Sequence, residues 1–145
     1  MMLGAIRIKG RIDISAKNKK TFDLLRLRKK FACSIYNPTK ENKGMLHRVR
    51  NYVAYGEIDE KTLRELVLKR GRLKGNKPIN KNKITNQTIK EIFEGKKTLK
   101  DLGIKPFFRL HPPRGGFKKS TKKGYPKGVL GNQEKEINKL ILRML

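Results

Sequence analysis

Two histidines, His47 and His111, and one cysteine, Cys33, are where acid–base, metal or thiol chemistry would have to start. The histidines stand far apart in the chain, and neither has Cys or carboxylate neighbours at ligand spacing. Arg48 follows His47, which suits a role facing RNA or solvent better than catalysis. Cys33 lies in the apolar run FACSIY and reads as a small buried hydrophobe in a strand. One cysteine allows no disulfide within the chain and no cysteine-based zinc site. No GxSxG, Walker-type or dinucleotide loop occurs. PRGGFKKST has the glycines of a phosphate loop but lacks its four-residue gap and closing Gly-Lys-Ser/Thr. The carboxylates fall mostly on predicted helices, where caps and i, i+4 partners account for them. The reading is a protein that is not an enzyme, with no cofactor and no metal.

Binding chemistry, by contrast, is plentiful. Lys and Arg number 38 against 12 acids, a formal charge of +26 in 145 residues. Such an excess repels itself and calls for an anionic partner, of which a polyphosphate backbone is the densest common kind. Acids are absent between Asp23 and Glu41, between Glu65 and Glu91, and between Asp101 and Glu134; those windows carry 5, 8 and 8 basic residues. The pattern fits extended contact along a polyanion rather than one compact pocket. The densest stretch is RLHPPRGGFKKSTKKGYPKG, residues 109–128. It interleaves Arg109, His111, Arg114, Lys118, Lys119, Lys122 and Lys123 with the rings of Phe117 and Tyr125, which is the mixture that pairs phosphates and stacks on unpaired bases. Gly115 and Gly116 allow close backbone approach to a phosphate. The segment has so few apolar residues that its own core is not expected to hold it; a partner is.

The elements that must position these groups are legible in part. Ile6, Ile8, Gly10, Ile12 and Ile14 alternate with Arg7, Lys9, Arg11 and Asp13, predicting a strand that is apolar inside and basic outside. Ser15 offers an N-cap for a helix over about 16–30 bearing Leu24, Leu27 and Phe31, with Phe22 and Leu25 beside them. Residues 31–36 read as a second strand, TKENKG as a loop, residues 45–52 as a short helix with Met45, Leu46 and Val49 on one face, and 52–56 as a third strand. Asp59 caps a helix with Leu63, Leu66 and Val67; Thr85 caps another with Ile89, Ile92 and Phe93; Gly71 and Gly95 stop them. Residues 72–83 form a basic loop and 107–110 a short strand. A last helix from Asn132 carries the stripe Ile137, Leu140, Ile141 and Met144. The order is that of an α+β domain with helices covering a small sheet. No apolar run approaches a membrane span and no signal-peptide pattern is present, so an intracellular, soluble protein is expected. A basic peripheral membrane binder stays open, though no helix has the two faces that such a binder requires; the expectation is of no membrane partner and no small-molecule substrate.

Four stretches, TFDLLRLRKKFACSIY, KGMLHRVRNYVAYGEI, FRLHPPRGGFKKSTK and GVLGNQEKEINKLILRML, resemble the archaeal form of the large-subunit ribosomal protein L-thirty family, whose eukaryotic counterpart is called L-seven. The resemblance covers essentially the whole chain. It implies a small βαβαβ unit with a three-stranded antiparallel sheet, loosely ferredoxin-like, over residues 1–57. Residues 58–145 would be a mostly helical and basic-loop extension, part of one compact unit. It implies a structural constituent of the large ribosomal subunit, whose partners are large-subunit rRNA, with 5S rRNA close by, and neighbouring ribosomal proteins. The motif positions it carries over as RNA-binding are Arg26, Arg28, Gly44, His47, Arg48 and Arg50, then Arg109, His111, Arg114, Gly115, Gly116, Phe117 and Lys118. Met45 stands in the same motif and equally suits the core. A free-standing RNA binder or RNA chaperone would share the charge; it should instead show an autonomous recognition motif, and no zinc-finger spacing or RNP-type aromatic consensus is found.

Overall fold

The computed structural model of the chain describes residues 2–10, 14–75, 77–79, 82, 84–117, 119–125 and 127–145. Its central strand is β1 (Met2–Arg7), with all six residues buried. It pairs antiparallel with β2 (Ala32–Tyr36), Ala5 opposite Ser34, and with β3 (Val53–Ile58), Ala5 opposite Tyr55. Side chains alternate along a strand, so the pairing sorts them into two faces. Leu3, Ala5, Ala32 and Val53 join one apolar cluster; Met2, Ile6, Cys33, Ala54 and Ile58 join the other.

Each face is covered by helices. Helices α1 (Ala16–Leu25) and α2 (Lys40–Arg48) bring Phe22, Leu25 and Leu46 to the first face. Helices α3 (Glu60–Arg70), α4 (Asn86–Phe93) and α5 (Ile137–Met144) bring Leu63, Leu66, Ile89, Ile92, Ile137 and Ile141 to the second. Side-chain oxygens of Ser15, Thr39, Asp59 and Thr85 accept the N–H of Asn18, Asn42, Thr62 and Thr88, which satisfies helix donors that have no partner inside the helix.

The antiparallel trio is the middle of a larger sheet. Strands β6 (Phe108–Arg109), β7 (Ser120–Gly124) and β8 (Gly128–Asn132) extend it to the order β6-β2-β1-β3-β8-β7. Strand β6 runs antiparallel to β2, and β8 runs parallel to β3, with Ala54 beside Gly131. The expected three-stranded sheet is therefore six-stranded, and the 58–145 segment adds strands as well as helices. A separate hairpin pairs β4 (Arg72–Leu73) with β5 (Lys77–Pro78) inside the predicted basic loop. Beyond β8, a 3₁₀ turn at Glu134–Glu136 lies directly on Gly56 of β3; an added Cβ there would strike the Glu134 carbonyl.

Several expectations shift. The first strand lies at Met2–Arg7 rather than across Ile6–Ile14, and residues 11–13 of that expected strand lie outside the described residues. Arg7, expected on a basic outer face, is buried: Nη1 donates to the Leu27 carbonyl at 2.8 Å and Nε to the Lys9 carbonyl at 3.0 Å, 4.2 Å above the Phe22 ring. Helix α1 stops at Leu25, not near residue 30, so Leu24 is exposed and Leu27 reaches the core from beyond the helix. The residues expected as a loop before Met45 form the first half of α2. The last helix begins at Ile137, because Asn132 ends β8 and a 3₁₀ turn intervenes.

Candidate nucleic-acid interface

The outer end of the sheet gathers the cations. In the run Lys105-Pro106-Phe107-Phe108-Arg109-Leu110, Phe108 and Leu110 are buried, whereas Lys105 and Phe107 are half-buried and Arg109 is exposed. Extended geometry sends neighbours to opposite sides, which leaves Lys105, Phe107 and Arg109 outside. Two cavities flank this row. One, of about 240 Å³, is lined by Arg26, Arg28, Lys29, Ala32, Phe107 and Arg109. The other, of about 150 Å³, is lined by Arg70, Arg72, Lys105, Phe107 and Arg109. No carboxylate lines either one. Cations held this close repel one another, and a phosphate between them relieves that repulsion.

Backbone geometry sets one of these cations apart. Arg26 follows α1 at φ 61, ψ 27, the left-handed region. Its N–H donates to the Asp23 carbonyl and that of Leu27 to the Phe22 carbonyl, a Schellman helix stop. Glycine is the usual residue there, because a Cβ costs about 1–2 kcal/mol in that conformation. A long cation occupies the position instead. Arg28 is tethered at 3.6 Å to Asp23, an exposed pair that contributes little to stability. Arg70 bonds His111 through one terminal nitrogen, while its enclosed Nε has no hydrogen-bond partner in the structure. Lys105 Nζ stands 5.9 Å from the Phe107 ring centroid, the outer limit of a cation–π contact.

The other expected positions fall into two further groups. Gly44, His47 and Arg48 are exposed on α2, and Arg50 just after it; Arg50 Nη1 donates to the His47 carbonyl at 3.0 Å. His47 and Lys43 border a groove of about 670 Å³ shared with Tyr125, Glu57, Glu134 and Glu136, so this side is of mixed sign. The third group is the glycine-rich stretch, and the fold holds it more firmly than its composition suggests. Arg114 N–H donates to the Arg143 carbonyl and His111 N–H to that of Met144, while the Arg143 guanidinium returns bonds to the Arg114 and Gly116 carbonyls. Gly115 and Gly116 both take positive φ. Phe117 is half-buried, its ring 6.0 Å from Phe31. Bonds to the end of α5 therefore fasten residues 111–116 to the body, a tether the composition of the stretch gave no sign of. Lys119 lies 4.8 Å above the Tyr125 ring; Lys122 and Lys123 are exposed on β7. Lys118 lies outside the described residues.

Phe107, Lys105, Arg70, Arg72 and Lys29 are members that sequence reasoning did not single out. The alternation around Phe108 was the available signal for Phe107 and Lys105; Arg70 and Arg72 arrive only through packing. Thiol chemistry has no foothold at neutral pH, since burial pushes Cys33 up to about 12. Among the described residues no cluster of three or more His, Cys, Asp or Glu could hold a metal ion. No described helix is long and apolar enough to cross a membrane.

Fold and surface together define a small α+β protein with an acid-free, cation-lined edge to its sheet. The family model described as ribosomal protein L30p/L7e matches residues 3–53. A large ribosomal subunit protein uL30 from Archaeoglobus fulgidus is 44% identical over 152 residues, covering 99% of each chain. One from Nanoarchaeum equitans is 44% identical over 155 residues, covering 100% of each, and one from Aeropyrum pernix 40% over 157, covering 99% of each. The chain belongs to the ribosomal protein L30p/L7e family.

Proposed function

We propose that this chain is a structural constituent of the large ribosomal subunit, working in the cytoplasm within the ribosome and carrying out no catalytic step. Its partner is the large-subunit rRNA, and its work is electrostatic and geometric. The α+β body fixes orientation, while helix ends and loops neutralise phosphates that must approach one another as RNA packs. The observation that carries this reading is the match to large-subunit proteins along the whole chain; the acid-free cavities around Phe107 supply its physical basis. The contacts are assigned to Arg26, Arg28 and Arg109 at the sheet edge, to Gly44, His47, Arg48 and Arg50 at α2, and to the Arg114–Lys123 stretch. Residues 58–145 are the extension that completes the unit over 1–57. The proposal extends to 5S rRNA and other ribosomal proteins as neighbours, which the family resemblance suggests.

Cosedimentation tests it. The tagged protein should remain with large subunits through a high-salt wash, and its lysines should crosslink to large-subunit rRNA. Release of all the protein into the free pool at moderate salt would favour a free-standing RNA binder. Crosslinks that never include 5S rRNA would remove that neighbour alone.

A further inference from the structure

We propose that Phe107 is the platform for one unpaired nucleotide of the bound RNA, its base lying in the larger cavity and its flanking phosphates held by the cations on both sides. The inference rests on the RNA-binding reading above and names the ligand of one part of it.

Three observations carry it. First, Phe107 and Arg109 are the two residues shared by both cavities, so a ring and a guanidinium stand on the ridge between two cation-lined hollows. A backbone crossing that ridge meets positive charge before and after the ring. Double-stranded RNA hides its base faces within the stack, so a duplex could use the cations but not the ring; only an unstacked base uses both. Second, Phe107 remains half-buried although its neighbour Phe108 is completely buried. Strand alternation requires an outward side chain at 107, but it does not require an aromatic one. Third, the larger hollow holds about 240 Å³ and includes the small side chain of Ala32 beside Phe107. That is below the usual range for a drug-sized ligand and suits a single planar heterocycle. Lys105, at 5.9 Å from the ring, is loosely enough held to turn to a phosphate when the base arrives.

The test uses the full chain and refolded large-subunit rRNA. Affinity is measured over a salt series for wild type, Phe107→Leu and Phe107→Trp, each first checked for an unchanged melting temperature. Bases are then probed with dimethyl sulfate and a carbodiimide, which together report on the pairing edges of all four. Loss of one base–aromatic stack should weaken Phe107→Leu roughly 5- to 150-fold at an unchanged salt slope, while Phe107→Trp binds like wild type. The leucine variant should also restore reactivity at one unpaired position that wild type protects. Equal affinity and an unchanged reactivity pattern for Phe107→Leu would overturn the proposal and leave phosphate binding intact. A salt slope that falls with Phe107→Leu would also overturn it, since the ring would then act by placing cations. Failure of wild type itself to bind the rRNA would instead sink the RNA-binding reading on which the proposal stands.

Discussion

Replacing Arg26 by glycine should move stability and RNA affinity in opposite directions. The residue sits at φ 61 in a Schellman stop, with Phe22 and Leu27 on either side of it in the core. Relief of left-handed strain is worth about 1–2 kcal/mol. Glycine gives back about 0.5–1 kcal/mol through the greater freedom of the unfolded chain. The net is a stabilisation between about zero and 1.5 kcal/mol, a rise of at most a few degrees in melting temperature for a chain of this length. If Arg26 holds a phosphate, as proposed, deleting the guanidinium removes that contact, and the slope of log K against log salt should fall by about 0.7–0.9. Arg26→Ala separates the two effects: it keeps the strain and loses the charge, and so should match glycine in RNA binding without its gain in stability. Thermal melts and fluorescence anisotropy against large-subunit rRNA measure both quantities. If Arg26→Gly lowers the melting temperature by several degrees, the strain argument fails. If it binds RNA with the wild-type slope, Arg26 does not touch a phosphate.

Other outcomes follow from burial and fastening. Leu140→Ala, at a position 5% exposed on α5, should cost about 2–5 kcal/mol and lower the melting temperature; an unchanged melt would mean that α5 does not dock. Cys33, pushed up to about 12 by burial, holds its proton in the folded state well above the pH at which the unfolded thiol, near 9, releases it. Its contribution is therefore complete below about pH 9 and is lost as pH rises toward 12; melts of wild type and Cys33→Ala from pH 8 to 11 should show a shallower decline in the variant. Trypsin should cut the free protein at Lys122 or Lys123 before Arg114, whose backbone N–H and carbonyl are both bonded to Arg143. First cleavage at Arg114, seen by mass spectrometry, would contradict that anchoring.

Helices with one buried face, and the short apolar strands β2 and β3, could be read from the chain; β1 and the start of α2 could not. The stripes of α3, α4 and α5 and their caps at Asp59 and Thr85 were visible because each helix turns a single apolar side inward. Strand β1 is covered on both sides, so its residues carry no alternation, and the eye falls instead on the alternating run that follows it. The first turns of α2 are polar throughout and are held by Thr39, a cap without a periodic partner to announce it. Of the interface, Arg26, Arg28 and Arg109 were reachable through family motifs. Their convergence with Phe107, Arg70 and Arg72 depends on β6 pairing with β2, a contact between distant parts of the chain with no local signature.

Parallel placement of β8 beside β3 bears on how the chain is made. Asn138 donates to the carbonyl of Glu57, 81 residues earlier, and the second sheet face is closed by residues from both sides of that gap. While a ribosome is still synthesising the intervening segment, Ile6, Ala54 and Ile58 have half their cover missing. Closure over so long a separation is slow, and an emerging chain with a bare apolar sheet and a large positive charge is at risk of premature association. Such a nascent chain should engage a holding chaperone until β8 and α5 have left the exit tunnel, and a truncation after α4 should remain insoluble without one.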